Sequence, residues 1–146
     1  MLAGEYLHNI DPKGRLTIPS KFRKVLGTEF VVTKGLDGCL FIYPESEWKA
    51  MEEKLRAMSL TTNKVARKFT RFMLGSAVEG GLDKQGRILL PQPLKTYAGL
   101  DKEVVLVGVM DRIEIWDRNK WEQNQAHDEP DIELLASEME EMGLSI

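Results

Sequence analysis

Two short segments of the chain carry a carboxylate and a guanidinium at the same spacing. The segment "DPKGR" places Asp11 four residues before Arg15, and "DKQGR" places Asp83 four residues before Arg87. A pair of carboxylates can serve as general acid and base, whereas paired arginines are suited to binding phosphate or the edges of nucleic-acid bases. The four residues therefore suggest two chemical hypotheses, an acid–base catalytic site and an anion-binding site.

The setting of the two aspartates disfavours catalysis. Each stands first in a turn that Gly14 or Gly86 completes, where Asp accepts hydrogen bonds from backbone N–H groups two or three residues later. The sequence has no nucleophile beside a base, no phosphate-binding glycine loop and no zinc spacing, and His8 and His127 lie outside any ligand motif. We expect neither an enzyme nor a metal or other cofactor.

Both arginines begin a predicted strand, on the side away from its aliphatic residues. Leu16 and Ile18 of "RLTIP" point to one face because side chains alternate along a strand. Arg15 and Thr17 point to the other face, and Arg87 takes the same place in "RILLP". Two explanations stay open: a structural salt bridge to the aspartate of the same turn, or a basic hairpin tip that the aspartate braces.

Further basic residues lie close to the two turns and favour the second explanation. A stripe formed by Lys64, Arg67, Lys68 and Arg71 follows later in the chain, although a solvated helix face is the commoner cause of such a pattern. The first copy is the richer in cations, so we expect it to bind a polyanion more strongly. The predicted contact residues are Arg15, Arg87, Lys13, Lys21, Arg23, Lys24 and Lys84.

Charge is distributed unevenly along the chain. The net charge is −3, from 20 basic and 23 acidic residues. Residues 128–146 hold seven acids and no Lys or Arg, and the rest of the chain holds 20 basic against 16 acidic residues. The acidic total therefore does not exclude a nucleic-acid partner.

No apolar run of 18 residues and no signal peptide is present, so we expect a cytoplasmic protein without a membrane partner. Cys39, the only cysteine, lies in an apolar strand and is expected to be buried.

The chain is an internal duplication. Asp11, Gly14, Arg15 and Pro19 recur 72 residues later, and Trp48 recurs as Trp121 after one inserted residue. Each copy predicts an opening β-hairpin, a short helix and a second hairpin. Ser20 is the candidate N-cap of the first short helix.

Three longer helices complete the prediction. The segments "ESEWKAMEEKLRAMS" and "NKVARKFTRFMLGS" have apolar residues at helical spacing, including Val65 and Phe69, and should dock on the sheets. The acidic helix in "PDIELLASEMEEMG" carries Ile132, Leu135 and Met139 on one stripe. The simpler expectation is that this stripe packs on its own domain; the other is that it covers a neighbouring copy.

Together the doubled Asp-x-x-x-Arg, the continuations "RLTIP" and "RILLP", and the start "LAGEYLHNID" resemble the MraZ family of bacterial regulators associated with the division and cell-wall gene cluster. The resemblance extends over essentially the whole chain. It implies an α+β fold of tandem duplicated swapped-hairpin, AbrB-like β-α-β units with flanking helices. We divide the chain into a first unit at 1–60, a linking helix at 61–76, a second unit at 77–127 and the acidic C-terminal helix at 128–146.

The resemblance also implies a function. Subunits would close into a ring and bind promoter DNA that carries short direct repeats, with Asp11, Arg15, Asp83 and Arg87 at the family's motif positions. We expect a sequence-specific, nucleoid-associated transcriptional regulator without a small-molecule ligand. The alternative is a non-catalytic oligomeric scaffold that binds proteins through the apolar stripes of its helices.

Overall fold

The structure is a computed structural model and describes residues 1–145. Helices and antiparallel strands are mixed, which confirms the predicted α+β class. In chain order the elements are β1 (Leu2–Asn9), β2 (Arg15–Thr17), α1 (Ser20–Leu26), β3 (Phe30–Lys34), β4 (Leu40–Pro44), α2 (Glu45–Arg56), α3 (Lys64–Gly75), β5 (Val78–Gly80), β6 (Arg87–Leu89), α4 (Gln92–Ala98), β7 (Glu103–Met110), β8 (Ile113–Asp117), α5 (Arg118–Asp128), a 3₁₀ turn (Glu129–Asp131) and α6 (Ile132–Glu141).

Six strands form one antiparallel sheet in the order β1-β7-β8-β4-β3-β5. The second hairpin of each copy, β3–β4 and β7–β8, lies at the centre as predicted. The first strand of each copy crosses to the other copy: β1 pairs with β7 from Leu2↔Met110 to Asn9↔Glu103, and β5 pairs with β3. Exchanging the two copies leaves the strand order unchanged, so the sheet is pseudo-symmetric about the β4–β8 pair.

The prediction of an opening hairpin within each copy is wrong in its strand pairing. The turn reverses the chain, but β2 pairs with β6 of the other copy, through Leu16↔Ile88 at the centre. Within the first copy the turn is closed by one isolated bridge, Ile10↔Leu16. Burial explains the choice, because pairing β2 with β6 places both central residues in the core, with Leu16 0% and Ile88 2% exposed.

Each face of the large sheet covers its own core. On one face Leu40, Ile42 and their neighbours pack against the β2–β6 ribbon and the helices α1 and α4. On the other face Phe41 and Tyr43 pack with Trp48 of α2 and Met73 of α3. Because neighbouring residues of β4 alternate between the two cores, the sheet separates the ribbon from α2 and α3. Cys39 is buried as predicted.

The outer helices are less buried than the periodicity predicts. The helix α3 docks on the sheet as predicted, through Met73, but Val65 and Phe69 of its predicted apolar stripe are 79% and 39% exposed and take no part in this packing. No residue of α5 or α6 is buried. The expectation that the α6 stripe packs on its own domain is therefore also wrong.

Among residues 1–145, no helix is both long and apolar enough to cross a membrane.

Candidate nucleic-acid interface

The first tip of the ribbon is the turn from Asp11 to Arg15. The Gly14 N–H donates to the Asp11 carbonyl at 2.9 Å, which closes the predicted turn. Asp11 Oδ1 accepts the backbone N–H groups of Lys13 and Arg15, both at 2.9 Å, and Oδ2 accepts Arg15 Nε at 2.6 Å. The second backbone donor lies four residues on, one further than expected, because Gly14 at φ 81° extends the turn as a bulge. One carboxylate thus orders both the turn and the guanidinium.

The second tip repeats this geometry. Asp83 Oδ1 accepts the N–H groups of Gln85 and Arg87 at 2.9 Å, and Oδ2 accepts Arg87 Nε at 2.8 Å. In both turns the backbone N–H of the arginine is the main cause that lowers the pKa of the aspartate below its ordinary value, and the guanidinium and then the second backbone N–H lower it further. Both aspartates are therefore held as carboxylates at neutral pH.

Pairing of β2 with β6 brings the two arginines onto one surface. Arg15 lies opposite Leu89, and Arg87 lies opposite Thr17. We call these four residues the ribbon face. Because directly paired residues share a side of a ribbon, Arg15 and Arg87 are diagonal neighbours, with Cα atoms about 7–8 Å apart. The aliphatic side of the ribbon is buried, as the strand alternation predicts, so the arginine side faces outward.

Each guanidinium uses one nitrogen for its aspartate. Within residues 1–145, Nη1 and Nη2 of Arg15 and Arg87 donate to no other residue, and the side chains are 33% and 24% exposed. A guanidinium has five N–H donors in a fixed plane, so the Nε contact sets its orientation and leaves the outer edge available. The salt bridge and the braced tip, which the sequence offered as alternatives, are one arrangement.

The glycine of each tip lies against the other copy. The Leu90 N–H donates to the Gly14 carbonyl and the Ile18 N–H donates to the Gly86 carbonyl, each at 2.9 Å. A Cβ on Gly86 would lie 2.8 Å from Cζ of Arg23. Gly14 and Gly86 both have positive φ, so neither site suits another residue.

The structure separates the predicted basic residues into two groups. Lys13, Lys21, Lys24 and Lys84 are exposed. Arg23 is half-buried against Gly86, and its Nε is buried without a hydrogen-bond partner in the part of the chain described. It therefore supports the second tip in addition to carrying charge.

Lys95 was not among the predicted site residues, yet it takes the place of Arg23 at the first tip. Its Nζ would lie 3.2 Å from a Cβ on Gly14. The offset of 72 residues, which equates Arg23 with Lys95, is the signal that would have found it. Thr17 and Leu89 of the ribbon face were also missed, because only the pairing of β2 with β6 brings them beside the arginines.

Fold and ribbon together define an internally duplicated α+β protein whose two halves meet in one arginine-bearing ribbon. The family model described as "MraZ protein, putative antitoxin-like" matches residues 1–72 and again residues 73–140. "Transcriptional regulator MraZ" of Caldicellulosiruptor saccharolyticus is 53% identical over 144 residues, covering 99% of this chain and 100% of that protein. The protein of the same name from Moorella thermoacetica is 54% identical over 139 residues, covering 95% and 96%. That from Clostridium beijerinckii is 50% identical over 145 residues, covering 99% and 100%. The chain belongs to the MraZ family.

Proposed function

We propose that this protein is a sequence-specific DNA-binding transcriptional regulator that binds repeated promoter elements as a ring oligomer through its ribbon face. The observation that carries the proposal is the pair of guanidinium groups on one ribbon, each oriented by an aspartate and each with its outer nitrogens free of protein partners in residues 1–145. The names of the relatives support the regulatory part of the proposal.

The shape of the ribbon suits duplex DNA. A major groove about 12 Å wide admits a two-stranded β-ribbon, and arginine Nη groups match the O6 and N7 acceptors of guanine. Exposed lysines beside the turns, Lys13 and Lys84 at the tips and Lys21 and Lys24 on α1, supply contacts to phosphate. In this proposal Arg15 and Arg87 contact bases, while Asp11 and Asp83 hold them in place.

The strand exchange supports the finer description of the fold. We propose that the crossing of β1 and β5, with β2 paired to β6, is the swapped-hairpin arrangement of AbrB-like units, and that 1–60 and 77–127 are those units. The linking helix at 61–76 and the acidic helix at 128–146 then flank them.

A ring would supply the affinity that one subunit lacks. Two arginines and a few lysines make a modest interface, whereas several such interfaces on spaced repeats bind at high effective concentration. The proposal places the protein in the cytoplasm at the nucleoid, without a cofactor and without catalysis.

The test is a fluorescence-anisotropy titration with DNA from upstream of the protein's own gene. We expect affinity to fall steeply as salt rises and to be lost in the double variant Arg15→Ala/Arg87→Ala. Lys49→Ala is the matched control, because Lys49 is an exposed cation that pairs with Glu45 on α2. If the double variant bound as tightly as the control, the ribbon face would not be the DNA site.

The alternative, a protein-interaction scaffold, is favoured by one observation, the uncovered apolar stripe of α6. A scaffold would oligomerise and would not shift upstream DNA at any salt concentration. The same titration therefore separates the two functions.

A further inference from the structure

The helix α6 has no partner within its own chain. Ile132, Leu135, Met139 and Met142 are 60%, 41%, 40% and 78% exposed. Their spacing of three, four and three residues places them on one side of the helix and its C-terminal end. We call these four residues the α6 stripe. A stripe of this length on a soluble helix normally packs against another apolar surface.

Carboxylates border the α6 stripe on both sides. At 100° per residue, Glu138 lies along one margin, and Glu133 and Glu140 lie along the other. Residues 128–146 contain no Lys or Arg. A complementary surface must therefore be apolar at its centre and basic at its margin, which excludes DNA and disfavours a second α6.

Such a surface exists on α3. Val65 and Phe69 are one helical turn apart and are 79% and 39% exposed. Lys64 and Lys68, both exposed, precede Val65 and Phe69 by one residue, so each lies about 100° around the helix from its neighbour and the two form a basic margin along one side. The surface of Val65, Phe69, Lys64 and Lys68 is called the α3 patch.

Three other exposed apolar residues fit the α6 stripe poorly. Leu36 and Met110 are each followed directly by an aspartate, and Leu89 belongs to the ribbon face. On the α3 patch two exposed apolar side chains lie one helical turn apart beside two cations, whereas Val25 on α1, 38% exposed and preceded by Lys24, is a single exposed apolar residue.

We infer that the α6 stripe of one copy packs on the α3 patch of a second copy. The contact rests on the proposed self-association and names the surfaces that form it. We place this contact between two copies and not within one chain, because both surfaces are exposed in the structure of the single chain. Two different surfaces meet, so the contact is heterologous, and successive copies close into a ring when the rotation allows.

The first measurement is molar mass by light scattering at micromolar concentration. Leu135→Glu/Met139→Glu should lower the mass to that of the monomer, because charge then enters the stripe. Leu134→Glu is the matched control, since Leu134 is 60% exposed on a different side of α6 and should leave the mass unchanged. Circular dichroism of each variant checks that the sheet is intact.

Disulfide cross-linking identifies directly which surface contacts the α6 stripe. Met139→Cys and Val65→Cys are prepared as separate proteins, whose native Cys39 is buried, and are oxidised alone and as a mixture. We expect a disulfide-linked dimer in the mixture only. A dimer from Met139→Cys alone would overturn the inference in favour of paired α6 helices.

Charge reversal completes the test. Lys64→Glu/Lys68→Glu should lower the molar mass, and combining it with Glu133→Lys/Glu140→Lys, which reverses the charge of one margin of the α6 stripe, should restore it. If Lys64→Glu/Lys68→Glu lost DNA affinity but kept the oligomer, the α3 patch would be a DNA surface and the inference would be wrong. Mass and cross-linking report the contact, whereas the salt-dependent binding of Arg15 and Arg87 variants reports the function, so either can fail alone.

Discussion

Arg15 and Arg87 have the same contacts but different neighbours. Each donates Nε to an aspartate, yet the first tip carries Lys13 where the second carries Gln85. Affinity for a polyanion depends on the local concentration of cations, so the two tips should contribute unequally to the affinity for DNA.

We predict that Arg15→Ala weakens operator binding more than Arg87→Ala does. Each base or phosphate contact is worth roughly 1–3 kcal/mol, and the loss is multiplied when several subunits bind together. Anisotropy titrations measure the affinity and thermal melts measure stability. An Arg15→Ala protein that melts early yet binds normally would show that the ion pair is structural only.

Asp11 and Asp83 should make stability depend on pH at the acidic end. Both pKa values are lowered in the folded protein, so the ionised carboxylates favour folding; this contribution is present at neutral pH and is lost as pH falls through the lowered folded-state values. We predict that Asp11→Asn/Asp83→Asn melts below the wild type at pH 7 and that the difference shrinks by pH 3. Melting curves at the two pH values check this, and a difference that grew on acidification would contradict it.

At the residue scale the sequence predicted much of the geometry of the two turns. The Asp-x-x-x-Arg spacing and the strand alternation are local, and both the ion pairs and the outward position of the arginines agree with them. The contacts of Arg23 with Gly86 and of Lys95 with Gly14 could not be predicted, because each joins a helix of one copy to a turn of the other.

The two turns depend on their glycines for two separate reasons, backbone conformation and space. We predict that Gly86→Ala destabilises the protein more than Gly38→Ala. Both glycines have positive φ, which costs a residue with a Cβ about 1–2 kcal/mol, but only at Gly86 would the new methyl group meet Arg23. Urea unfolding of the two variants measures the difference.

Adding Arg23→Ala to Gly86→Ala serves as the control for that steric effect. It should recover the excess loss, because the obstructing side chain is then removed. Equal destabilisation by Gly86→Ala and Gly38→Ala would mean that Arg23 moves aside without cost.

At the scale of elements, local signals identified the central hairpins and failed at the opening ones. A turn sequence specifies that the chain reverses, whereas β2 and β6 have three residues each and take the partner that buries Leu16 and Ile88. Ser20 illustrates a smaller error: α1 begins at that residue, Pro19 occupies the cap position, and no side chain caps the helix. Asn63 caps α3 instead, by accepting the Ala66 N–H at 3.0 Å.

Exchange of strands should make the two halves dependent on one another. Both β1 and β2 find their partners in the second half, and β5 finds its partner in the first. We predict that a fragment of residues 1–76 is unfolded as a monomer and gains β structure when a fragment of residues 77–146 is added. Far-UV circular dichroism and size-exclusion chromatography measure this.

The outcome that would contradict it is a monomeric 1–76 fragment with a cooperative melt of its own. Such a fragment would have to close its opening hairpin within one copy, as the sequence alone suggests.

For the whole molecule, the repeat predicted two related units, and the α+β class followed from their strands and helices. The hydrophobic pattern does not say which strands cross between units, since crossed and uncrossed arrangements both satisfy it; only the family resemblance implied swapped hairpins. The exposure of the α6 stripe could not be predicted either, because an amphipathic sequence does not say whether its partner lies in the same chain.

Because both halves of the ribbon belong to one polypeptide, their sequences need not be identical. A ribbon built from two separate copies of one chain would have equal tips, and its binding site would have to be palindromic. Here Lys13 and Gln85 already differ at corresponding places, and mutation can alter one tip without altering the other. If the ribbon binds DNA as proposed, each subunit would bind an asymmetric sequence with a defined direction, and successive subunits of a ring would bind that sequence repeatedly in the same orientation along the DNA.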